Sequence, residues 1–219
     1  MKKTLLFSNI VGDITKDNNE IVDFNNYAKK YLAKNIPLNS KLLFINAPGL
    51  GGEDNYLTNI LKCFARIGVG FSEILDLSAN TPDDALEKFD KASGETVYFL
   101  MGGNPLAQME IIKKFNLFDT IKNYEGLVIG FCAGAINLSK YSIITTDDDF
   151  DRPQSYEGIG RVPIVVEPHY ADANDTVRNE EINSFARELN EKIYAIPDAS
   201  VIIAENNSMQ ELGKIYHFA

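Results

Sequence analysis

The sequence is poor in the residue types that mark several protein classes. Of its 219 residues only two are cysteines, fewer than a small disulfide-held secreted domain uses, so a reducing, cytoplasmic compartment is expected. Lys and Arg number 21 against 31 Asp and Glu, and a net charge of −10 leaves no basic face for nucleic acid. No apolar run approaches the roughly 18 residues that cross a membrane.

Metal and cofactor motifs are equally scarce. The two histidines and the two cysteines are far apart, a spacing that does not favour a zinc site. The sequence has no phosphate-binding Walker motif and no G-x-G-x-x-G dinucleotide fingerprint. We therefore expect neither a metal nor a cofactor.

Short apolar runs alternate with amphipathic segments along the first 140 residues. This alternation predicts an α/β fold: a three-layer αβα sandwich with a mainly parallel central sheet, formed by one domain over residues 1–219. The amphipathic stripes predict helices around Phe24–Leu32, Leu57–Phe64 and Ala135–Leu138. The predicted strands are Thr4–Phe7, Leu42–Ile45, Phe71–Leu77, Val97–Met101 and Leu127–Ile129.

The second half is less regular. The polar stretch Asp147–Arg161 is predicted as a loop, for which a substrate-covering lid and an ordinary surface loop stay open as interpretations. A last helix carries Ile182, Phe185, Ala186 and Leu189. The predicted strands are Ile143–Thr146, Val162–Val166, Ile193–Ile196, Val201–Ala204 and an edge strand, Ile215–Phe218.

The strongest chemical signal is Gly130–Ala135, which follows a buried strand and precedes a helix. A nucleophile between two glycines at a strand-to-helix turn is typical of a nucleophile elbow, here with Cys132 as the nucleophile. The helix dipole favours a thiolate, and the Ala133 N–H is positioned for an oxyanion. The alternative interpretation is a buried structural cysteine, as expected for Cys63 within its helix.

A second strand exit carries Gly102-Gly103-Asn104-Pro105. Asn104 is a good N-cap and Pro105 a good first helical residue, and Asn104 is also a candidate substrate-binding residue. The glycines let the backbone approach a ligand, so the Gly103 N–H is a candidate second oxyanion donor. A simple connecting turn explains the same residues.

His169 is the candidate general base, because it follows a strand whereas His217 lies in the terminal edge strand. A carboxylate should orient its imidazole. Two positions remain open for that acid. They are Asp198, in a turn between strands, and Asp147 or Asp148, at the start of an acidic run.

The order of these motifs resembles peptidase family S51, the family of peptidase E (aspartyl dipeptidase) and cyanophycinase. The resemblance covers most of the chain and implies the class I glutamine-amidotransferase-like fold. The matching pieces are Gly102–Asn104, Gly130–Ala135 with Asn137, Thr145–Asp148, Pro168–Tyr170 and Ile196–Asp198.

The resemblance also implies roles for individual residues. Cys132 falls on the family's serine, His169 on its histidine and Asp198 on a glutamate, while Asp148 matches another proposed acid. Gly103 and Ala133 would form the oxyanion hole. Arg178 matches an arginine that would meet a substrate carboxylate.

The departure from the family is the cysteine nucleophile. The leading hypothesis is a cysteine hydrolase acting on a small peptide or amide through a Cys132–His169–Asp198 triad. One alternative is a DJ-1-like redox-sensing or protective protein, and another is a binding module with an inert pocket. No surface pattern indicates an interface, so a monomer and a homodimer both stay open.

Overall fold

The computed structural model describes residues 2–14, 21–47, 56–90, 95–146, 150–171, 173–206 and 208–219. The described helices are α1 (Asn26–Asn35), α2 (Tyr56–Arg66), α3 (Ala85–Asp90), α4 (Pro105–Lys114), α5 (Phe118–Asn123), α6 (Ala133–Leu138) and α7 (Thr176–Leu189). The described strands are β1 (Lys3–Phe7), β2 (Val11–Ile14), β3 (Ile21–Phe24), β4 (Lys41–Ile45), β5 (Glu73–Leu77), β6 (Thr96–Leu100), β7 (Leu127–Phe131), β8 (Tyr141–Ile144), β9 (Gln154–Glu157), β10 (Val165–Pro168), β11 (Ile193–Ile196), β12 (Val201–Glu205), β13 (Ser208–Leu212) and β14 (Tyr216–Phe218).

The central sheet has the strand order β13-β12-β1-β7-β6-β4-β5. Strands β1, β7, β6, β4 and β5 pair in parallel. Strand β12 pairs antiparallel with β1 on one side and with β13 on the other. The parallel strands therefore end at one common edge of the sheet. Because β1 pairs in register with β7, from Lys3 opposite Leu127 to Phe7 opposite Phe131, the residues that follow these two strands are neighbours.

Helices cover both faces of this sheet. Side chains alternate along a strand, so Leu5 and Phe44 contribute to one core with α1 and α2, while Leu6 and Leu43 contribute to the other with α3 to α6. The predicted three-layer αβα sandwich with a mainly parallel sheet is thus confirmed. A smaller three-stranded sheet, β10-β11-β14, packs against α7 around Ile182 and Phe185.

Several boundaries differ from the sequence prediction. Phe24 ends β3 instead of opening the first helix, which begins at Asn26 after the Asn25 cap. The predicted loop Asp147–Arg161 contains β9, which pairs antiparallel with β8. Its polar sequence gives no apolar run, yet Tyr156 anchors it by donating a hydrogen bond to Asn137 Oδ1 (2.7 Å).

Three further strands were not predicted, and the start of one predicted strand was wrong. The hairpin of β2 and β3 and the sheet-edge strand β13 were not predicted, and Val162–Val166 begins as a strand only at Val165. The predicted edge strand at the end of the chain is confirmed as β14, which pairs with β11.

Candidate active site

Cys132 lies on a sharp turn between β7 and α6. Its backbone has φ 49° and ψ −109°, a positive φ that costs a non-glycine residue about 1–3 kcal/mol. The Cys132 N–H donates to the Phe7 carbonyl (2.9 Å), and its own carbonyl accepts from the Ile136 N–H (3.0 Å). These bonds hold the strained turn, which presents a half-buried, unbridged thiol at the carboxyl end of the sheet.

Two glycines let backbone segments pack tightly around this turn. A Cβ on Gly134 would lie 2.2 Å from the Leu100 carbonyl oxygen, so only glycine allows α6 to start against the end of β6. Gly103 has a φ of 136°, and a Cβ there would lie 2.1 Å from the Ala47 carbonyl oxygen. Both positions therefore require glycine.

His169 follows β10 and also has a positive φ, 54°. Its N–H donates to Ser8 Oγ (2.7 Å) and its carbonyl accepts from Arg178 Nη1 (2.9 Å), so the backbone is held on both sides. Its ring Nδ1 lies 2.6 Å from Asp198 Oδ1, and its imidazole lines the same cleft as Cys132. The structure thus places Cys132 and His169 at one cleft, with Asp198 bonded to the imidazole.

Asp198 lies in the turn after β11 and has two partners besides the imidazole. Ser8 Oγ donates to Oδ1 (2.9 Å) and Asn9 Nδ2 lies 3.4 Å from Oδ2. Ser8 and Asn9 were missed by sequence reasoning. The available signal was their position directly after β1, since β1 runs beside the strand that leads to Cys132.

The electrostatics of His169 and Asp198 reinforce each other. Burial lowers the pKa of His169, but the interactions with Asp198 and Cys132 outweigh it and raise that pKa to about 10. The hydrogen bond from His169 lowers the pKa of Asp198, with further help from Ser8 and Asn9. At neutral pH the site therefore holds an imidazolium beside a carboxylate.

The two predicted oxyanion donors belong to two segments that meet near Cys132. Gly103 lines the same cleft as Cys132 and His169. Ala133 is the first residue of α6, and the first N–H groups of a helix lack an acceptor within it. Their role as oxyanion donors stays a prediction.

The remaining predicted residues have other surroundings. The Asn104 side chain caps α4, with Oδ1 accepting from the Leu106 N–H (3.0 Å) and the Ala107 N–H (3.1 Å). The Oδ1 atom of Asn104 is therefore occupied by backbone N–H groups of α4. Asp147 and Asp148 lie outside the described residues.

Arg178 is bound to the protein itself. Its Nε (3.0 Å) and Nη2 (2.5 Å) donate to Oε1 of the buried Glu167, and its Nη2 also donates to the Pro168 carbonyl (2.7 Å). Together with the bond to the His169 carbonyl, these contacts make Arg178 a clamp on the segment that carries the imidazole. Its predicted contact with a substrate carboxylate stays a prediction.

A cleft of about 340 Å³ opens over the thiol. It combines apolar side chains, among them Ile136, Ile144 and Phe150, with the polar groups of Cys132 and His169. His169 and Asp198 form a dyad, and about half of each side chain is exposed, 42% for His169 and 55% for Asp198. A small substrate can therefore reach the thiol and the imidazole from the same opening.

A buried polar network supports the elbow from below. Asn137 Nδ2 donates to the Pro105 carbonyl (2.9 Å) and to Gln108 Oε1 (3.1 Å). Gln108 Nε2 in turn donates to the Met101 carbonyl (2.8 Å), at the end of β6. Because every link is a buried hydrogen bond, α6 is fixed relative to α4 and to the strand ends.

The other cysteine and histidine lie away from this cleft. Cys63 lies in α2 and is fully buried in the core, where burial raises the pKa of its thiol, in line with the structural role expected for it. His217, on β14, lies 3.0 Å from Glu211.

Two features are absent from the described part of the chain. No helix there is both long enough and apolar enough to span a membrane. Within those same residues, no group of three or more His, Cys, Asp and Glu side chains could hold a metal ion.

Comparisons with known proteins agree with one another. A sequence model described as peptidase family S51 matches residues 14–212. A peptidase E from Shewanella sp. (strain W3-18-1) is 27% identical over 202 residues, covering 84% of this chain and 82% of the relative. One from Nostoc sp. (strain PCC 7120) is 27% identical over 177 residues, covering 75% and 69%.

Solved structures share the fold. A crystal structure ascribed to a peptidase E protein of Listeria monocytogenes EGD-e superposes with a TM-score of 0.65 at 16% identity, covering 97% of this chain and 98% of the other. A peptidase from an acI-B1 actinobacterium gives 0.60 at 16% identity, covering 98% and 88%. The family model and the sequence relatives favour a peptidase over the redox-sensing alternative.

Proposed function

The chain belongs to peptidase family S51, and we propose that it hydrolyses a small peptide or amide through an acyl-enzyme formed on Cys132. One observation carries the proposal. Cys132 and His169 line the same cleft, and the His169 imidazole hydrogen-bonds through Nδ1 with Asp198 at 2.6 Å. A nucleophile, a base and an orienting acid in series are what acyl transfer requires.

The first half-reaction forms the acyl-enzyme. The Cys132 sulfur attacks the substrate carbonyl carbon, a C–S bond forms, and the carbonyl π electrons move to the oxygen. The N–H groups of Gly103 and Ala133 stabilise this oxyanion. Collapse breaks the C–N bond while the His169 imidazolium gives its proton to the departing amine.

The second half-reaction releases the acid. Water attacks the thioester carbon and passes a proton to His169, whose imidazole has just become neutral. The C–S bond then breaks, the carboxylic acid leaves, and the thiolate faces an imidazolium again. Asp198 keeps the ring oriented and stabilises its positive charge throughout.

The raised pKa of His169 explains how a cysteine serves where the family normally has a serine. A thiol gives up its proton far more readily than a hydroxyl, and an adjacent imidazolium stabilises the thiolate. Burial lowers the pKa of His169, but the interactions with Asp198 and Cys132 raise it to about 10, so its imidazole accepts a proton readily.

Thiol alkylation with a peptidyl chloromethyl ketone tests the proposal. We expect the wild-type chain to hydrolyse amides from a small-peptide panel and to be alkylated once, at Cys132, as located by mass spectrometry. Cys132→Ala should abolish both. Cys63→Ala is the matched control and should keep both, since the Cys63 thiol is fully buried in the core. Hydrolysis that survives in Cys132→Ala would refute the assignment of the nucleophile.

A second variant tests the departure from the family. Cys132→Ser restores the family's usual nucleophile but loses the thiolate, because a serine hydroxyl does not ionise beside an imidazolium. We expect kcat to fall by roughly 10²-fold or more with little change in Tm. A kcat equal to that of the wild type would show that the thiolate is not used.

A further inference from the structure

The Glu167–Arg178 pair lies in the wall of the cleft and is almost fully committed to the protein. Glu167 is 2% exposed, and its Oε1 accepts from Arg178 Nε (3.0 Å), from Arg178 Nη2 (2.5 Å) and from Thr145 Oγ1 (2.7 Å). Arg178 spends two further donors on the Pro168 and His169 carbonyls. Four of the five guanidinium N–H groups therefore already have acceptors.

This commitment decides what the cleft recognises. An arginine that binds a substrate carboxylate usually offers two parallel N–H donors and an uncompensated positive charge. Arg178 retains one N–H group, and a buried carboxylate already balances its charge. A second carboxylate placed beside it would meet the negative charge of Glu167 at close range in a poorly solvated wall.

The other described walls agree with this interpretation. Ile136, Ile144 and Phe150 line the cleft with apolar surface. The remaining cation in the described lining, the His169 imidazolium, is paired with Asp198 at 2.6 Å. No described group is thus placed to stabilise a negative side chain on the acyl residue.

We infer that the Glu167–Arg178 pair makes this site select an acyl residue with a neutral side chain and reject an acidic one. The inference rests on the proposed function, because it assigns specificity to the same cleft. Under this inference Arg178 does not receive a substrate carboxylate but is a positioning residue for His169.

Asparagine and aspartate supply a matched pair of probes, since they have nearly the same shape and differ in charge. We expect the wild-type kcat/KM for the asparagine amide of 7-amino-4-methylcoumarin to exceed that for the aspartate amide by at least tenfold. Equal values, or a preference for aspartate, would overturn the inference. This measurement needs no variant and decides the matter even where a variant fails to fold.

Glu167→Gln tests the cause. The amide keeps the shape of the side chain and an acceptor for Arg178 but removes the negative charge, so the asparagine-to-aspartate ratio should fall at least tenfold. Glu181→Gln is the control, because Glu181 binds Thr146 (2.7 and 2.8 Å) much as Glu167 binds Thr145 yet does not line the cleft. An unchanged ratio in Glu167→Gln, or an equal change in Glu181→Gln, would refute the role of the pair.

Alkylation separates this inference from the proposed function. Chloromethyl ketones derived from asparagine and aspartate report side-chain selection at Cys132 without requiring hydrolysis. Preferred alkylation by the asparagine reagent with no amide cleavage would keep the specificity and refute the hydrolase. Amide cleavage that favours aspartate would keep the hydrolase and refute the specificity. No alkylation by either reagent and no cleavage would refute both.

Discussion

The amino and carboxyl ends of the central sheet both hold polar groups beside a cavity, yet these groups are arranged differently. At the amino end Arg161 is 3% exposed and donates all five N–H groups: to Thr4 Oγ1 and to the carbonyls of Lys3, Ile121, Tyr124 and Gly126. At the carboxyl end Cys132 and His169 combine positive φ angles with half-exposed reactive atoms.

Cavity size alone would select the amino end rather than the end that carries the proposed active site. The cavity next to Arg161 measures about 620 Å³, against about 340 Å³ for the cleft over Cys132. Burial lowers the pKa of Arg161 to about 10, but all its donors are used within the protein. Strained backbone and reactive atoms that face solvent support the carboxyl end as the proposed working end, whereas complete internal hydrogen bonding indicates that the amino end is the structural one.

The largest effect is expected from Asp198→Asn, at the working end. Removing the charge that orients the imidazolium should lower kcat roughly 10²–10⁴-fold. Tm should change little, since 55% of the Asp198 side chain is exposed. Asp84→Asn, which alters an exposed carboxylate paired with Lys88, is the control for steady-state kinetics and thermal melting. A fall of less than threefold in Asp198→Asn would remove this acid from the triad.

Arg161→Met should do the opposite at the structural end. It leaves buried carbonyls without their donor, so the free energy of unfolding should fall by about 3 kcal/mol or more. The kcat of the fraction that stays folded should match the wild type. Urea denaturation followed by active-site titration measures both, with the exposed Arg187→Met as the control. A loss of kcat with unchanged stability would contradict the division between the two ends.

Ser8→Ala should have an intermediate effect, about tenfold in kcat/KM. Its hydroxyl accepts from the His169 N–H and donates to Asp198, so its loss frees the strained backbone and weakens the carboxylate. Ser139→Ala is a matched control, because Ser139 Oγ also donates to a carbonyl, that of Ala135, and accepts from an N–H, that of Val166, away from the dyad.

The pH profile distinguishes positioning from general stability in Ser8→Ala. The pKa of His169 is raised from 6.5 to about 10. The contribution of its imidazolium to stability is therefore complete below pH 6.5 and is lost as the pH rises through about 10. The pKa of Asp198 is lowered from 3.8, so its contribution is lost only as the pH falls below that value. The wild-type kcat/KM should fall near pH 10, and Ser8→Ala should move that fall to lower pH. A profile that does not move would make Ser8 merely structural.

Asn104→Ala should give the smallest effect, about 1 kcal/mol in the free energy of unfolding, because the side chain caps α4. Chemical denaturation and kcat/KM are measured together. A loss of kcat/KM greater than tenfold with this small change in stability would show that Asn104 also contacts the substrate.

The parts of the site that follow strands were predictable from the sequence. The apolar run of β7 and the glycines around Cys132 define the elbow locally, and His169 and Asp198 follow apolar strands as well. Ser8 was not predictable in the same way, since its partner His169 is 161 residues away. Only the pairing of β1 with β7 places Ser8 beside the segment that carries Cys132. Glu167 was hidden for a related reason. A charged residue inside a buried strand becomes informative only when Arg178, on the following helix, is seen to bind it.

The fold was predictable wherever apolar periodicity is strong. The strands of the parallel sheet have long-range partners but carry their own apolar signal, so their positions were found to within a few residues. Strand β9 was missed because Gln-Ser-Tyr-Glu has no such signal, and its position depends on the hydrogen bond between Tyr156 and Asn137. Tertiary contacts that no local pattern encodes account for these differences.

The Ser8 hydroxyl joins the main chain of the base to the side chain of its acid through one oxygen atom. Neither segment can swing outward without breaking a bond to that oxygen, so thermal fluctuations should displace the two together. Amide hydrogen exchange at His169 and at the turn containing Asp198 would then share one opening event. Activity would consequently be lost in a single step on heating, ahead of global melting, rather than eroding gradually.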